Sequence, residues 1–317
     1  MNAYLPTDIA VLSAVLAILV LVLLVGYLLG NGEPARWRRP AAWLHLVGWT
    51  VWVERFTADQ PPGFRMLALC LVMIVCLKAV VLADSRLAGE PPLSPLRWLC
   101  FAALWVGMRP AVFARRTGRT RADAGRVLRW ASGWLVLGLA CLLLARQLRQ
   151  RTPDAGLLAV LCLLVGLSLV LHFGLLNMLA AWWRRQGFDC RPLMRTPLAA
   201  RSLGEFWSRR WNLAFSEMAA LSIFRPLVRW LGRPGAVLAG FLASGVLHEL
   251  AISVPVRAGF GLPMLYFTLH GGLVLAEQAL ARLGWSIDRA GGLAHLWTIS
   301  WLLLPLPLLF HPWFVDG

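Results

Sequence analysis

The sequence is short of charged residues, and almost all of its cations are arginine. Only 15% of its 317 residues are charged, Lys78 is the sole lysine, and 59% of the residues are hydrophobic. The mean hydropathy is +0.67. These values exclude a soluble domain of ordinary composition. The apolar runs are continuous rather than alternating, which argues against a β-barrel and for an α-helical membrane protein.

Several common catalytic and metal-binding motifs are missing. The six cysteines contain no CxxC pair and mostly fall in apolar runs, so we interpret them as small core residues. Zinc proteases need HExxH, but Ile252 stands where a second histidine would follow His248. Neither a P-loop nor a nucleophile elbow is present. We therefore predict no metal site and no bound cofactor.

Apolar runs of about 20 residues predict an all-α polytopic protein with about eight transmembrane helices. The predicted spans are 9–30, 64–84, 96–114, 130–145, 155–183, 235–254, 263–283 and 292–311. The first run is too long for a signal peptide, so we expect it to be a retained span. The tryptophan-rich stretch 41–53 is too short to cross and predicts an interfacial or re-entrant helix. We expect one membrane domain over residues 1–317.

The arginines predict the orientation of the chain and the surface that it contacts. With the N-terminus outside, the arginine-rich loops at 36–39, 115–129 and 184–233 all face the cytoplasm, although Arg146, Arg149 and Arg151 oppose this rule. Because the net charge of +16 is spread between apolar runs, it indicates anionic lipid head groups or a phosphate-bearing substrate rather than nucleic acid. We expect a multi-pass protein of a bacterial inner membrane.

The longest loop carries a predicted interfacial helix with two faces. Ser202 and Glu205 form a capping box, which predicts a helix start. Apolar residues then recur at a spacing of three or four through Met218, which predicts one continuous helix. Membrane anchoring explains its tryptophans and arginines well. It leaves Asn212 unexplained, and we expect this amide to act as a fixed hydrogen-bond donor.

The predicted span 235–254 contains an adjacent histidine and glutamate, His248 and Glu249. Each titratable group at bilayer depth costs about a few kcal/mol unless it has a partner or a cavity, so the pair indicates a functional site. Ser244 shares the face of His248 and leaves room beside its backbone, whereas Glu249 points toward a neighbouring helix. We expect His270, in the next span, to line the same cavity. A buried structural histidine and a proton relay of a transporter remain alternatives.

Three motifs together resemble the membrane-bound O-acyltransferase family, in particular its wax-synthase-like branch. They are FWSRRWN (Phe206–Asn212), SGVLHEL (Ser244–Leu250) and LHGG (Leu269–Gly272), in the order and at the spacing of that branch. The resemblance covers about residues 193–272. It divides the chain into N-terminal spans over 1–190, a catalytic region over 193–272 and C-terminal spans over 273–317.

The resemblance implies a helical bundle around a tunnel that receives acyl-CoA and a lipophilic alcohol. It implies that His248 is the catalytic base and Asn212 the second polar residue of the site. The further residues expected to contact substrate are Trp207, Arg209, Arg210, Trp211, Ser244, Glu249 and His270. Arg209 and Arg210 are candidates for the CoA phosphates, and lipid head groups explain them equally well. Ser208 departs from the glycine frequent in the family.

The reaction expected from the resemblance is ester formation between acyl-CoA and a long-chain alcohol. A sterol, a glycerolipid or a hydroxylated secondary metabolite is an alternative acceptor. A proton-coupled transporter using His248 and Glu249 belongs to another class, and it predicts inverted repeats that the sequence does not contain. A structural subunit of a membrane complex leaves the three ordered motifs without an explanation.

Overall fold

The computed structural model of the protein describes residues 4–117, 121–151 and 156–316, and every regular element in these ranges is a helix. The predicted all-α class is therefore confirmed. One part of the predicted cytoplasmic loop 115–129, residues 118–120, lies outside the described residues.

The first half of the chain contains eight α-helices. They are α1 (Ile9–Asn31), α2 (Arg38–Phe56), α3 (Pro62–Leu87), α4 (Pro95–Ala103), α5 (Ala111–Ala114), α6 (Arg121–Arg151), α7 (Gly156–Ser168) and α8 (Leu176–Arg185). A π-helical segment, Leu169–Leu175, joins α7 to α8. Helix α3 is the most buried of the long helices and packs against α1, α2 and α4.

The second half is built from shorter helices and three further π-helical segments. The α-helices are α9 (Leu203–Glu205), α10 (Leu213–Ala219), α11 (Arg225–His248), α12 (Val254–Val256), α13 (Leu262–Arg282), α14 (Gly292–Leu303), α15 (Leu306–Leu309) and α16 (Pro312–Asp316). The π-helical segments are Phe206–Arg210, Ala220–Phe224 and Glu249–Ser253. Helix α11 is kinked at Gly232, whose φ of 64° is accessible to glycine without strain, and Pro234 follows.

Six helical stretches in the described ranges are long and apolar enough to cross a membrane. They are Ile9–Asn31, Pro62–Leu87, Asp123–Arg151, Leu158–Arg185, Leu213–Val256 and Gly292–Leu309. The chain is thus an integral membrane protein, but the expected count of eight spans is not confirmed. Helix α13 has nearly the bounds of the predicted span 263–283, yet it is not among the six. The stretch 41–53 is part of α2, which is 19 residues long and packs against α3.

The predicted span 96–114 is wrong, and Lys78 supplies the physical reason. Helix α4 has nine residues, which is only about 14 Å at 1.5 Å per residue, and α5 has four. Between them, the carbonyls of Trp105 and Gly107 turn out of helical geometry and accept from the Lys78 ammonium at 2.8 and 2.5 Å. Lys78 itself is fully buried. These bonds satisfy carbonyls that a continuous helix would have paired internally.

Two arginines of the N-terminal half reach carbonyls beside the π-helical segments that flank α11. Arg65 donates to the carbonyls of Pro255 and Val254 at 2.6 and 3.2 Å and pairs with Glu54 at 3.1 Å. In the same way Arg39 donates to the carbonyl of Ser222 at 2.9 Å, and it pairs with Asp84 at 3.1 Å. The N-terminal half therefore holds both ends of the helix that carries His248.

Candidate active site

A cavity of about 1640 Å³ lies between the segment 194–224, α11, α13 and the C-terminal helices α14 and α15. Seven of the nine predicted site residues line it: Trp207, Arg209, Arg210, Trp211, Asn212, Ser244 and His248. Residues from separate parts of the chain, about 35 positions apart, thus line the same cavity. The remaining two, Glu249 and His270, do not line the cavity.

The helix expected to run from Leu203 to Met218 is not continuous. The capping box is formed as predicted, because the Glu205 amide donates to the Ser202 hydroxyl at 3.0 Å. The chain then widens into the π-helical turn Phe206–Arg210, leaves helical geometry at Trp211 and starts α10 at Leu213. A neighbouring extended segment pairs with this break. The Arg195 amide donates to the Arg210 carbonyl at 2.8 Å, and the Leu213 amide donates to the Leu193 carbonyl at 3.1 Å.

Asn212 forms the corner of this break rather than a position on a helix face. Its backbone is left-handed (φ 43°, ψ 59°), a conformation that asparagine tolerates better than most residues. Its side-chain oxygen caps α10 by accepting from the Phe215 amide at 3.3 Å. The side-chain nitrogen has no acceptor among the described residues. Asn212 thus presents its side-chain NH₂ group as a donor at the cavity wall, while the Phe215 amide holds its side-chain oxygen.

His248 is the last residue of α11, with its ring on the cavity wall. Its Nδ1 lies 2.7 Å from the carbonyl oxygen of Ser244, which only accepts hydrogen bonds, so Nδ1 carries the proton. The neutral imidazole therefore has its lone pair on Nε2. The ring packs against Phe267 with 4.3 Å between centroids. One face and one nitrogen of the ring are fixed, which is what a base of defined tautomer requires.

Glu249 is not among the residues that line the cavity, and its assignment to substrate binding stays a prediction. Its Oε1 accepts from the amides of Gly261 and Met264 at 2.8 and 3.1 Å. These amides stand at the start of α13, where unpaired N–H groups favour a negative charge. The expectation that this carboxylate serves a neighbouring helix agrees with these contacts.

His270 lies behind the cavity wall instead of on it. The residue is fully buried, and its Nδ1 accepts from Trp207 Nε1 at 3.1 Å. Trp207, which does line the cavity, stands between His270 and the open space. We expected His270 to line the cavity, but it lies behind the indole of Trp207, which occupies the position next to the cavity.

The two neighbouring arginines have different environments. The Arg210 guanidinium is bound to the Glu205 carboxylate, with Nη2 at 2.6 Å and Nε at 2.8 Å, and also donates to Thr196. Partial burial of Glu205 raises its pKa, but the Arg201 amide and Arg210 outweigh this effect and lower the pKa below its ordinary value. Arg209 is exposed and has no ionic partner among the described residues. It keeps its charge available to a ligand.

The sequence argument missed three polar residues of this region. Glu277 is buried in α13, borders the cavity and accepts from the amides of Leu203 and Gly204. His172 and His295 also line the cavity. Glu277 was detectable by the rule that singled out Glu249, because it too is a carboxylate inside an apolar run. His172 and His295 lie in the predicted spans 155–183 and 292–311, so the same rule applied to them.

Comparison with known proteins agrees with the motifs. Residues 190–269 match the sequence model of the "Membrane bound O-acyl transferase family". This range nearly coincides with the stretch 193–272 that carries the three motifs, and it includes both Asn212 and His248.

Several plant proteins are similar over longer stretches. "Probable long-chain-alcohol O-fatty-acyltransferase 1" of Arabidopsis thaliana is 29% identical over 62% of this chain and 60% of its own length. Its relative numbered 2 is 29% identical over 70% of this chain and 68% of its own length. "Long-chain-alcohol O-fatty-acyltransferase" of Simmondsia chinensis is 33% identical over 30% of each chain. The first of these alignments thus spans less than two thirds of the relative.

Proposed function

We propose that this chain, whose residues 190–269 match the membrane-bound O-acyltransferase family, transfers a fatty acyl group from acyl-CoA to the hydroxyl of a long-chain alcohol, forming a wax ester. The observation that carries the proposal is that His248 and Asn212 line the same cavity. One offers an imidazole lone pair and the other an amide donor. Ester formation from a thioester needs both kinds of group.

His248 is the base in this reaction. Its Nε2 takes the hydroxyl proton as the alcohol oxygen attacks the thioester carbonyl carbon. The imidazolium then returns that proton to the sulfur when the carbon–sulfur bond breaks, so the histidine is regenerated. The carbonyl of Ser244, 2.7 Å from Nδ1, holds the ring throughout and stabilises its charged form. General bases of this kind contribute about 10²–10⁴-fold.

Asn212 supplies the donor for the negative charge that develops on the thioester oxygen. The bond between its side-chain oxygen and the Phe215 amide fixes the amide plane, which aims Nδ2 without further ordering. A donor that is already oriented costs no reorganisation when the charge appears, and one such donor contributes about 3–4 kcal/mol in other enzymes.

The size and the lining of the cavity suit two chain-bearing substrates. Its volume of about 1640 Å³ exceeds the roughly 300–1,000 Å³ of ordinary ligand pockets. Part of the wall is purely apolar, formed by Ile252, Leu302, Leu306, Leu309 and Phe310. Alkyl chains fit that part by burial of apolar surface. An apolar surrounding also keeps water from the thioester.

The proposed acyl-CoA end of the cavity is its arginine-bearing wall. Arg201, Arg209 and Arg233 line the cavity and are exposed, so each remains accessible to phosphate oxygens. Arg209 is the strongest candidate, and Arg210 is weaker because Glu205 already occupies it. The cytoplasmic side predicted for this wall relied on a span at 96–114, which α4 and α5 do not form. The relatives reported above are plant proteins, so a bacterial inner membrane stays an expectation from the sequence alone.

Two alternatives are less well supported. The transporter hypothesis needs His248 and Glu249 to act as a relay, yet Glu249 is bound to the start of α13 and does not face the cavity. A sterol, glycerolipid or secondary-metabolite acceptor keeps the same chemistry. It differs only in which hydroxyl reaches His248.

The proposal is tested by acyl transfer with purified protein, labelled palmitoyl-CoA and a panel of long-chain alcohols. We expect alcohol-dependent ester from the wild type and a rate at least about 10²-fold lower from His248→Ala, because the base is lost. His172→Gln alters another histidine of the cavity wall and should keep most of the rate. Full transfer by His248→Ala, or CoA release without any ester, would contradict the proposal.

Replacing Asn212 by aspartate separates its two roles. Asn212→Asp keeps a side-chain oxygen for the α10 cap but removes the donor, so we expect kcat to fall by about 10²-fold with the melting temperature nearly unchanged. Asn212→Ala loses both cap and donor and places a residue that disfavours the left-handed region at this corner, so both kcat and the melting temperature should fall. A wild-type kcat for Asn212→Asp would remove the oxyanion role.

Removal of the unpaired guanidinium tests the acyl-CoA end. Arg209→Gln should raise the KM for palmitoyl-CoA by about tenfold, the value of one charge-assisted hydrogen bond, and leave the KM for the alcohol unchanged. Arg229→Gln, an exposed arginine of α11 that does not border the cavity, is the matched control. An unchanged KM, together with weaker binding to anionic vesicles, would assign Arg209 to lipid head groups.

A further inference from the structure

Glu277 is a buried carboxylate to which the proposed reaction gives no task. It lies in the third quarter of α13, and no arginine or lysine of the described residues pairs with it. Instead it accepts three N–H bonds. Oε1 accepts from the Leu203 amide at 2.8 Å and from Trp297 Nε1 at 2.9 Å, and Oε2 accepts from the Gly204 amide at 2.9 Å. A carboxylate in apolar surroundings therefore has its charge held by neutral donors.

Two of these donors begin the segment that forms the cavity wall. The first four amides of a helix have no partner within it. Here the Leu203 and Gly204 amides bond to Glu277, and the Glu205 amide bonds to the Ser202 hydroxyl at 3.0 Å. Phe206 then makes the first intrahelical bond, to the Ser202 carbonyl at 3.0 Å. Two of the three unpaired amides from Leu203 to Glu205 are thus satisfied by a residue 73 positions or more along the chain. Residues Leu203–Arg210 form a turn, and the direction in which this turn leaves Ser202 depends on Glu277.

Helix α13 holds the same turn at further points along one face. Phe267, His270, Val274 and Glu277 recur at a spacing of three or four and so share that face. The indole of Trp207 lies 5.6 Å from the Phe267 ring and donates to His270 Nδ1. Phe267 also packs on the His248 ring. One helix face therefore contacts both the turn and the catalytic histidine.

The far end of the turn leads directly to Asn212. The Trp211 amide closes the π-helical turn on the Phe206 carbonyl at 2.9 Å, and the Ser216 hydroxyl donates to the Trp207 carbonyl at 2.6 Å. These bonds connect the start of the turn, at Leu203, to the break at Asn212. We therefore expect a shift at Leu203 to displace the Asn212 amide.

We propose that Glu277 is a positioning residue for the acyl transfer: its carboxylate fixes the turn Leu203–Arg210 on α13 and thereby sets the place of Asn212 relative to His248. The inference rests on the proposed function. Glu277 touches neither reacting atom. Its effect on the rate passes through Asn212, and this property separates it from a residue that only stabilises the fold.

The test is a double-mutant cycle on alcohol-dependent ester formation. Glu277→Gln keeps the shape of the side chain but presents an NH₂ group to one of the N–H donors. We expect kcat to fall by about 10–10²-fold, as for small misplacements of a catalytic group, with both KM values within about threefold. In the Asn212→Asp background the same change should lower kcat by no more than about twofold, because the group it positions has already been removed.

Trp297→Phe is the matched control, since it removes the indole donor and leaves both main-chain bonds of Glu277. It should keep kcat within about threefold of the wild type. Equal losses from Glu277→Gln in both backgrounds would overturn the proposal, and so would a wild-type kcat for Glu277→Gln.

A second variant covers the case in which Glu277→Gln does not fold. Glu277→Asp keeps the charge, withdraws the carboxylate by one methylene and enters the same cycle with the same two outcomes. Ester formation by the wild type distinguishes failure of the proposed function from failure of the role of Glu277. If it forms no ester, the proposed function fails; if it forms ester while the cycle shows independent losses, only the role of Glu277 fails.

Discussion

The candidate site depends on satisfying backbone hydrogen-bonding groups wherever a helix breaks in apolar surroundings. An unpaired amide or carbonyl there costs about 1–3 kcal/mol, and several breaks lie close together around the cavity. The N-terminal amides of α9 and α13 bond to Glu277 and Glu249, and the start of α10 bonds to the side chain of Asn212. Each break thus requires a particular polar residue, and that residue fixes where the next segment goes.

The same constraint explains what the N-terminal half contributes, although the family match does not include it. Arg65 and Arg39 bond to carbonyls at Pro255 and Ser222, on either side of α11, and each arginine is paired with a carboxylate. Lys78 does the same for the irregular segment after α4. Basic side chains of this half thus donate to carbonyls, while the carboxylates of Glu249 and Glu277 in the other half accept from amides. The helix of His248 is held from both halves.

The sequence predicted the helical class, six of the spans and seven residues of the cavity wall, because long apolar runs and ordered motifs can be recognised without knowledge of the packing. It failed where a single side chain redirects the backbone. Lys78 ends a predicted span, and Asn212 turns a predicted helix into a corner. The prediction for His270 failed because helical spacing gives the direction of a side chain but not its distance from the cavity. The indole of Trp207 lies between His270 and the cavity. Glu277 followed the rule applied to Glu249 and was overlooked.

A structure with an alcohol and an acyl-CoA analogue bound shows most directly whether His248 and Asn212 act on one thioester carbonyl. The ligands are hexadecanol and a ketone analogue of palmitoyl-CoA, in which a methylene between sulfur and carbonyl prevents cleavage. The account predicts the alcohol oxygen within about 3 Å of His248 Nε2 and the ketone oxygen within about 3 Å of Asn212 Nδ2. An acyl group bound away from these two atoms would contradict it.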